Sequence, residues 1–319
     1  MKNLLEGTVI KSTGSWYKVL TDDGLGLDCR ISGKHRLFGL QVTNPVAVGD
    51  RVNFEMEVDD INGIIREIKP RKNYILRQSP RQLHQIHLLA ANIDQAILIT
   101  TIISPMLKQG FIDRFTMMAE PYDIPALIVV NKADLYHEKE MDLFHELRTL
   151  YENISYEIML VSTVTGEGIQ EFHEKLKNKT SLILGQSGVG KSSLLNTVNL
   201  DIEAITDEIS DHSGKGQHTT TFAEMYPVES LNARVIDTPG IKTLSFNHLT
   251  PKDLSHNFRE IFTASKHCRF ANCMHKNEPG CNVIHLVETG EIHPWRYNNY
   301  VVLLDEIKSQ NYWERKLDY

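Results

Sequence analysis

The stretch from Ser181 to Leu195 constrains the fold of this chain more than any other. A short apolar run leads into Gly-x-x-x-x-Gly-Lys-Ser, from Gly185 to Ser192, and a helical pattern follows. Glycines let the backbone curl so that successive N–H groups face a phosphate, and the following helix N-terminus favours negative charge. The pattern predicts a phosphate-binding loop between a strand and a helix. The alternative is a glycine-rich turn that matches by chance.

Two polar side chains at the end of the predicted loop have expected roles in binding the ligand. Lys191 should reach the β and γ phosphates, and the Ser192 hydroxyl should bind Mg²⁺, because both lie in the first helical turn and face the ligand. The residues expected to contact the nucleotide in this loop are Gly185, Gln186, Ser187, Gly188, Val189, Gly190, Lys191, Ser192 and Ser193.

A second motif follows a predicted buried strand and has the sequence Asn131-Lys132-Ala133-Asp134. A carboxylate just beyond a strand can accept hydrogen bonds from the N1–H and exocyclic amino group of guanine, which adenine does not offer in that arrangement. Lys132 would cover the purine with its aliphatic stem, and Asn131 would tie this loop to the phosphate loop. The alternative interpretation is a helix N-cap at Asp134.

Three further segments carry polar groups that suit a bound nucleotide. Ser162 opens a Ser-Thr-x-Thr-Gly run after a predicted strand and suits a backbone contact to the guanine O6, although the run alone is only a turn. Within the polar segment from Ile209 to Thr221, Thr220 is the threonine we expect to bind Mg²⁺ and sense the γ-phosphate. In Asp237-Thr-Pro-Gly240, Asp237 would hold Mg²⁺ through water and the Gly240 N–H would bond the γ-phosphate.

Residues 1 to about 70 alternate apolar and polar residues in five short runs broken by turn signals, which predicts a small β-barrel of the OB type. Beyond residue 92, strands alternate with helix-length segments, which is typical of a mostly parallel α/β sheet. Basic residues of the barrel and its exit could track an RNA backbone, or they form a solvated rim and linker: Arg30, Lys34, His35, Arg36, Arg66, Lys69, Arg71, Lys72, Arg77 and Arg81.

Charge is distributed unevenly along the 319 residues. Residues 1 to 81 hold 13 Lys+Arg against 10 Asp+Glu, residues 82 to 242 hold 12 against 22, and residues 243 to 319 hold 9 against 9. RNA contact is therefore expected at the ends of the chain. The N-terminus does not read as a signal peptide and no apolar run is long enough to span a bilayer, so we expect a cytoplasmic protein without membrane contact.

Three of the four cysteines fall close together beside a histidine. Cys268, Cys273, His275 and Cys281 offer three thiolates and one imidazole, a tetrahedral set that suits one structural Zn²⁺. Clustering of this kind fits metal binding in a reducing compartment better than a disulfide framework. The surrounding segment is expected to be helical, over Asp253 to Ala264, Asn282 to Thr289 and Tyr297 to Lys316.

The order of the motifs is a circular permutation of the usual GTPase order, since the guanine-reading loop precedes the phosphate loop and Asp237 to Gly240 comes last. With the N-terminal barrel and the cysteine cluster, the chain resembles the RsgA (YjeQ) family of circularly permuted GTPases that depend on the small ribosomal subunit. The resemblance implies a GTP hydrolase that binds the subunit and its rRNA late in maturation, with Mg²⁺, one Zn²⁺ and, we expect, a monomeric chain.

Ile241 stands where many GTPases have a glutamine that orients water, so unaided hydrolysis should be slow. His218 matches the histidine of the family's threonine switch and is the candidate catalytic residue; an exposed loop histidine is the alternative. The expected domains are 1–70 (OB fold, RNA-binding), 71–242 (permuted GTPase) and 243–319 (helical, zinc-binding). Two other functions stay open: an RNA-binding zinc protein that uses GTP as a structural ligand without turnover, and a P-loop kinase or ATPase, against which Asp134 argues.

Overall fold

The alternating N-terminal stretch forms a five-stranded barrel. The structure is a computed structural model, and it describes residues 4–31, 44–57, 61–78, 86–198, 223–238 and 249–309. The barrel strands are β1 (Leu5–Ser12), β2 (Tyr17–Thr21), β3 (Gly26–Ile31), β4 (Arg51–Met56) and β5 (Gly63–Ile68).

Strand pairing closes the barrel in the order β1-β2-β3-β5-β4, with β4 returning to β1 and with β3 and β5 parallel. The predicted barrel is confirmed. Its interior holds inward-facing residues such as Val19, Phe54 and Ile65. Cys29 also lies there, and a Cβ at Gly63 would come within 2.6 Å of its sulfur, so this thiol is a packing residue. Burial raises its pKa to about 12.

A hairpin that was not predicted follows the barrel. It consists of β6 (Tyr74–Gln78) and β7 (Ile86–Ala91), paired antiparallel in a sheet of their own. Ile75 and Leu89 of this hairpin join the main hydrophobic core.

The parallel sheet predicted beyond residue 92 is confirmed. Five parallel strands lie in the order β10-β9-β8-β11-β13, and an antiparallel strand that was not predicted, β12, extends this sheet. The strands are β8 (Gln95–Thr100), β9 (Ala126–Val130), β10 (Glu157–Leu160), β11 (Thr180–Gly185), β12 (Glu224–Val228) and β13 (Ala233–Asp237). The helices between them are α1 (Gln109–Ala119), α2 (Glu138–Asn153), α3 (Ile169–Leu176) and α4 (Lys191–Asn196).

Both faces of this sheet are buried, which explains the continuous apolar runs of its strands. Ile97, Leu127 and Ile183 face one core, which α3 and α4 cover. Leu98 and Ile128 face the other core, which holds residues of α1, α2 and the C-terminal helices.

Within the described residues, the barrel strands join the α/β sheet through one strand pairing, between β1 and β12. Lys11 of β1 pairs with Glu224 of β12, and their side chains form an ion pair at 2.8 Å. Barrel and parallel strands therefore belong to one eleven-stranded sheet within the described residues.

The C-terminal segment is helical, with two differences from the prediction. Its helices are α5 (Pro251–Asn257), α6 (Arg259–Ser265), α7 (Asn282–Glu288) and α8 (Pro294–Ser309). The helix expected over Asp253 to Ala264 breaks at Phe258, which leaves helical geometry and buries its ring against Tyr300, 5.5 Å between centroids. The last helix begins at Pro294, a residue suited to a first helical turn, and its predicted end at Lys316 lies outside the described residues.

A buried ionic network fixes α8 against α1. Arg296 donates to Asp113 Oδ1 at 2.6 Å and to Glu260 Oε1 at 2.6 Å, and Tyr151 donates to the same Asp113 oxygen at 2.7 Å. The Arg296 and Asp113 side chains are 1% and 0% exposed. The C-terminal helices thus share one core with the α/β unit.

Candidate nucleotide-binding site

The predicted motifs converge at one edge of the sheet. The phosphate loop follows β11, Asn131 follows β9, Ser162 lies just beyond β10, and Asp237 ends β13. Because these strands run parallel in one sheet, in the order β10-β9-β8-β11-β13, their carboxyl ends lie along the same edge. This is the edge at which open α/β sheets bind ligands.

Asn131 connects the guanine-reading motif to the phosphate loop. Its side-chain amide donates to the Val189 carbonyl at 2.9 Å, which is the contact expected from the sequence. A Cβ at Gly190 would lie 2.3 Å from that amide nitrogen, and Gly190 has a φ of +85°. Only glycine therefore suits this position. The Asn131 Oδ1 atom is buried and makes no hydrogen bond within the described ranges.

Lys132 forms a second connection between the two loops. It has a left-handed backbone conformation, with a φ of 69°, and its ammonium donates to the carbonyls of Gly188 and Ser104, each at 2.6 Å. The side chain is thereby held between the base-reading motif and the phosphate loop. Its extended stem is available to pack against a planar ligand.

Asp134 is oriented by the Ser-Thr-x-Thr-Gly turn. The Ser162 hydroxyl donates to its carboxylate at 2.5 Å, and the N–H groups of Val164 and Thr165 lie 3.2 Å from that hydroxyl oxygen. Ser162 is fully buried. Ala133 donates its N–H to the Val161 carbonyl at 3.1 Å, so the two segments are also joined through main chain.

Lys191 and Asp237, which lie 46 positions apart in the sequence, form an ion pair at 2.5 Å. The ammonium also donates to the Thr238 carbonyl. Thr238 is itself anchored by a hydrogen bond from its hydroxyl to the Ile183 carbonyl, 3.0 Å. A cation and a carboxylate thus meet beside the phosphate loop, where Mg²⁺ and phosphate oxygens would need them.

The remaining predicted residues divide into two groups. Gln186, Ser187, Ser192 and Ser193 lie at the solvent-accessible surface of the loop and the first turn of α4. His218, Thr220 and Gly240 lie outside the described residues, so their predicted roles stay predictions.

Two features of this site were not predicted. The Tyr136 hydroxyl accepts the Ile102 N–H at 2.8 Å and donates to the Asn131 carbonyl at 2.5 Å. The loop after β8 contacts the site through the Ser104 carbonyl and through Pro105, 3.9 Å from a Cβ placed on Gly188. The available signal was positional, because this loop follows the carboxyl end of a central parallel strand.

The cysteine cluster forms a compact set of four donors. The ligand atoms of Cys268, Cys273, His275 and Cys281 all lie within 4.8 Å of one another. His275 Nδ1 lies 3.5 Å from the sulfurs of Cys268 and Cys281, which are 3.9 Å apart. Ligands about 2.1 to 2.3 Å from a tetrahedral zinc are separated by about 3.5 to 3.8 Å. The donor set therefore fits one zinc ion, as predicted.

Local interactions hold the cluster in shape. The Glu278 carboxylate accepts the N–H groups of Met274, Lys276 and Asn277 at 2.8 to 3.0 Å. Burial by itself would raise the Glu278 pKa, but these donors lower it to about 2. Burial also raises the Cys273 pKa to about 12, so a metal cation would be needed to stabilise its thiolate at neutral pH.

The described basic residues of the barrel and its exit are paired with carboxylates. Arg71 binds Asp50 at 2.6 Å, and its side chain is only 11% exposed, so it is not available to track a phosphate backbone. Arg30 pairs with Glu57. Likewise, Arg66 pairs with Glu55, Lys69 with Glu6 and Lys72 with Asp94. Lys34, His35, Arg36 and Arg81, and the side chain of Arg77, lie outside the described part.

Comparison with known proteins agrees with this geometry. The family model for the RsgA GTPase matches residues 68–247, and the model for the RsgA N-terminal domain matches residues 6–65. The chain belongs to the RsgA GTPase family. It is 44% identical over 308 residues to the small ribosomal subunit biogenesis GTPase RsgA of Bacteroides fragilis, covering 97% of this chain and 99% of that one. A Christiangramia forsetii protein of the same name is 43% identical, with 94% and 96% covered.

Two solved structures of the RsgA type share this fold. YjeQ from Thermotoga maritima matches with a TM-score of 0.76 and 34% identity, covering 97% of this chain and all of that one. The circularly permuted GTPase YloQ matches with a TM-score of 0.71 and 30% identity, covering 97% and 96%. The permuted order inferred from the motifs is confirmed, and family membership makes the chain a GTPase. It favours GTP turnover over GTP used only as a structural ligand.

None of the helices in the described ranges is both long and apolar enough to cross a membrane.

Proposed function

We propose that this RsgA family GTPase binds the small ribosomal subunit and acts in its late maturation, with turnover stimulated by the subunit. The subunit is named in the titles of relatives that match over nearly the whole chain. The protein is proposed to be a cytoplasmic monomer that contacts rRNA through its terminal parts. Its proposed domains are 1–70, 71–242 and 243–319.

The proposed nucleotide site is the edge at which four motifs meet. The single observation that carries it is the double connection between the base-reading motif and the phosphate loop, from Asn131 to Val189 at 2.9 Å and from Lys132 to Gly188 at 2.6 Å. Asp134 reads guanine and is held by Ser162. Residues Gly185 to Ser193 surround the phosphates.

Magnesium would be bound near Lys191. Ser192, Thr220 and Asp237 are the proposed oxygen ligands, directly or through water, and Gly240 is proposed to contact the γ-phosphate. His218 is proposed to orient the attacking water, because Ile241 cannot do so. The ion pair between Lys191 and Asp237 supports this arrangement, since it places both functional groups at one point.

Multiple-turnover release of phosphate from GTP, with and without purified small ribosomal subunits, tests the function. We expect slow release alone and faster release when subunits are titrated in, because the intrinsic site lacks a water-orienting glutamine. The Lys191→Ala variant is the control and should show little release in either condition. Equal rates with and without subunits would contradict the proposal.

Base recognition is tested separately with Asp134→Asn. The carboxamide presents a donor where the carboxylate presents only acceptors, so affinity should move from guanine towards xanthine nucleotides. Competition between GDP and xanthosine diphosphate measures the shift. An unchanged preference would contradict the proposed role of Asp134 in reading the base.

A further inference from the structure

The Tyr136 hydroxyl lies between two main-chain segments that follow neighbouring strands. It accepts the Ile102 N–H at 2.8 Å, from the loop after β8, and donates to the Asn131 carbonyl at 2.5 Å, directly after β9. Burial raises its pKa to about 12, so the hydroxyl keeps its proton at neutral pH. One phenol therefore links two backbones at the edge where the nucleotide motifs meet.

The loop that Tyr136 holds is itself a wall of the site. It is closed internally by hydrogen bonds from the Thr101 hydroxyl to the Pro105 carbonyl at 2.8 Å and from the Leu107 N–H to the Ile102 carbonyl at 2.9 Å. Its Ser104 carbonyl accepts from the Lys132 ammonium at 2.6 Å. Displacing this loop would therefore also displace Lys132.

The base-reading motif, Asn131 to Asp134, is joined to neighbouring segments by main-chain and side-chain contacts, one of which is the Ala133 N–H donating to the Val161 carbonyl at 3.1 Å. The Asn131 N–H donates to the Thr100 carbonyl at 2.8 Å, and Lys132 then adopts a left-handed conformation that is costly for a side-chain-bearing residue. The Tyr136 hydroxyl binds the carbonyl between these two points. Ser162 binds the carboxylate of Asp134 at 2.5 Å, whereas Tyr136 binds the main chain at Asn131, where the motif begins.

We propose that Tyr136 is a positioning residue for guanine selection, which ties the base-reading motif to the Thr101–Leu107 loop and so sets where the Asp134 carboxylate lies. The inference rests on the proposed role of Asp134 in reading the base. Both hydrogen bonds of the Tyr136 hydroxyl go to main-chain groups, so this role requires no contact between Tyr136 and the nucleotide. Its effect is on the difference in affinity between guanine and a base that lacks the exocyclic amino group.

The test compares GDP with inosine diphosphate, which lacks that amino group, in the full-length protein and in Tyr136→Phe. Removing two hydrogen bonds should weaken GDP binding about three- to tenfold, in keeping with the usual net value of such bonds. Binding of inosine diphosphate should weaken less, because one contact to Asp134 is already missing. The dissociation constant of inosine diphosphate divided by that of GDP should therefore fall about threefold.

Tyr151→Phe is the matched control. It also removes a buried hydroxyl, one that joins α2 to α1 by donating to Asp113 at 2.7 Å. It should lower thermal stability without changing the nucleotide ratio. Amide hydrogen exchange gives a second readout, since the Ile102 amide should exchange faster in Tyr136→Phe than in the wild type.

Each result decides between the alternatives. A lower ratio together with faster Ile102 exchange supports the inference. Equal weakening of both nucleotides, or an unchanged ratio in a wild type that prefers GDP, would overturn the inference and leave the proposed function intact. A wild type that binds the two nucleotides equally would overturn the assignment of Asp134, and this inference with it.

Discussion

Gly190 shows how much of the site depends on one residue without a side chain. Its φ of +85° is uncommon for other residues, and a Cβ on Gly190 would lie only 2.3 Å from the Asn131 amide nitrogen. The backbone conformation and the contact with Asn131 thus each require glycine at position 190. Gly188 has a similar φ of +84°, but a Cβ there would meet only Pro105, at 3.9 Å.

The Gly190→Ala variant should lose both stability and nucleotide affinity. Backbone strain and the clash with Asn131 should together cost about 1–3 kcal/mol, and GDP affinity should fall at least about tenfold as the loops separate. Urea unfolding and GDP titration measure the two effects. Gly188→Ala is the control, because it carries the strain without the clash. Equal losses in both variants would mean that the Asn131 contact contributes nothing.

At the level of elements, the loop that carries most of the four candidate zinc donors has few buried residues of its own. Cys273, His275 and Cys281 are buried, whereas most of their neighbours in residues 266–280 are exposed or half-buried. His275 has a left-handed φ of 59°, a conformation with a cost that local bonding must offset. A bound metal would supply that bonding.

Removing one donor should release the metal and loosen the C-terminal helices. In Cys273→Ser we expect zinc content to fall from one ion per chain to a small fraction, and proteolysis within residues 266–281 to become faster. Elemental analysis and limited trypsin digestion measure these changes. Cys29→Ala, which removes the buried thiol of the barrel, should keep its zinc. Full zinc content in Cys273→Ser would exclude Cys273 as a ligand.

Packing between helices also explains the break between α5 and α6. Periodicity favours one helix, but the ring of Phe258 is buried against Tyr300, and the Arg296 guanidinium lies 4.3 Å from its centroid. Placing the ring there requires an extended backbone at Phe258, with a φ of −93° and a ψ of 99°. Tertiary packing therefore overrides a continuous helical pattern.

At the scale of the whole molecule, the C-terminal helices and the α/β unit are joined by buried charges rather than by a loose linker. Arg296 connects Asp113 of α1 with Glu260 of α6. Arg259 donates to the Ser155 carbonyl at 2.6 Å and to Glu120. A buried pair contributes little net stability while intact, but loss of one partner leaves an uncompensated charge.

Arg296→Ala should therefore be strongly destabilising. Asp113 and Glu260 would lose their common cation in a buried interface, and the free energy of unfolding should fall by about 3–5 kcal/mol. Chemical denaturation measures the change. Arg148→Ala, which breaks an exposed ion pair with Glu152, should cost less than about 1 kcal/mol. Similar values for the two variants would show that the buried network has little energetic weight.

The bound nucleotide should affect amide hydrogen exchange in the C-terminal helices. The permutation makes the segment after Asp237 covalently continuous with α5, and a nucleotide-dependent change there is expected to reach residues 249–309. Amide hydrogen exchange with GDP and with a non-hydrolysable GTP analogue should differ in these residues. The two patterns should coincide in Lys191→Ala. Identical protection with GDP and with the GTP analogue in the wild type would contradict coupling between the nucleotide and the C-terminal helices.

The sequence by itself determined the chemistry of this protein, because phosphate, guanine and zinc recognition each need particular residue types at short fixed spacings. It also determined the permuted order and most strand positions, since buried parallel strands are continuous apolar runs. Only the tertiary structure decided what depends on contacts between distant segments. These include the β6–β7 hairpin, the pairing of Lys11 with Glu224, the burial of Arg71 and Arg296, and the hydroxyl of Tyr136 between two loops. Such contacts leave no local pattern, because each partner alone resembles an ordinary surface or core residue.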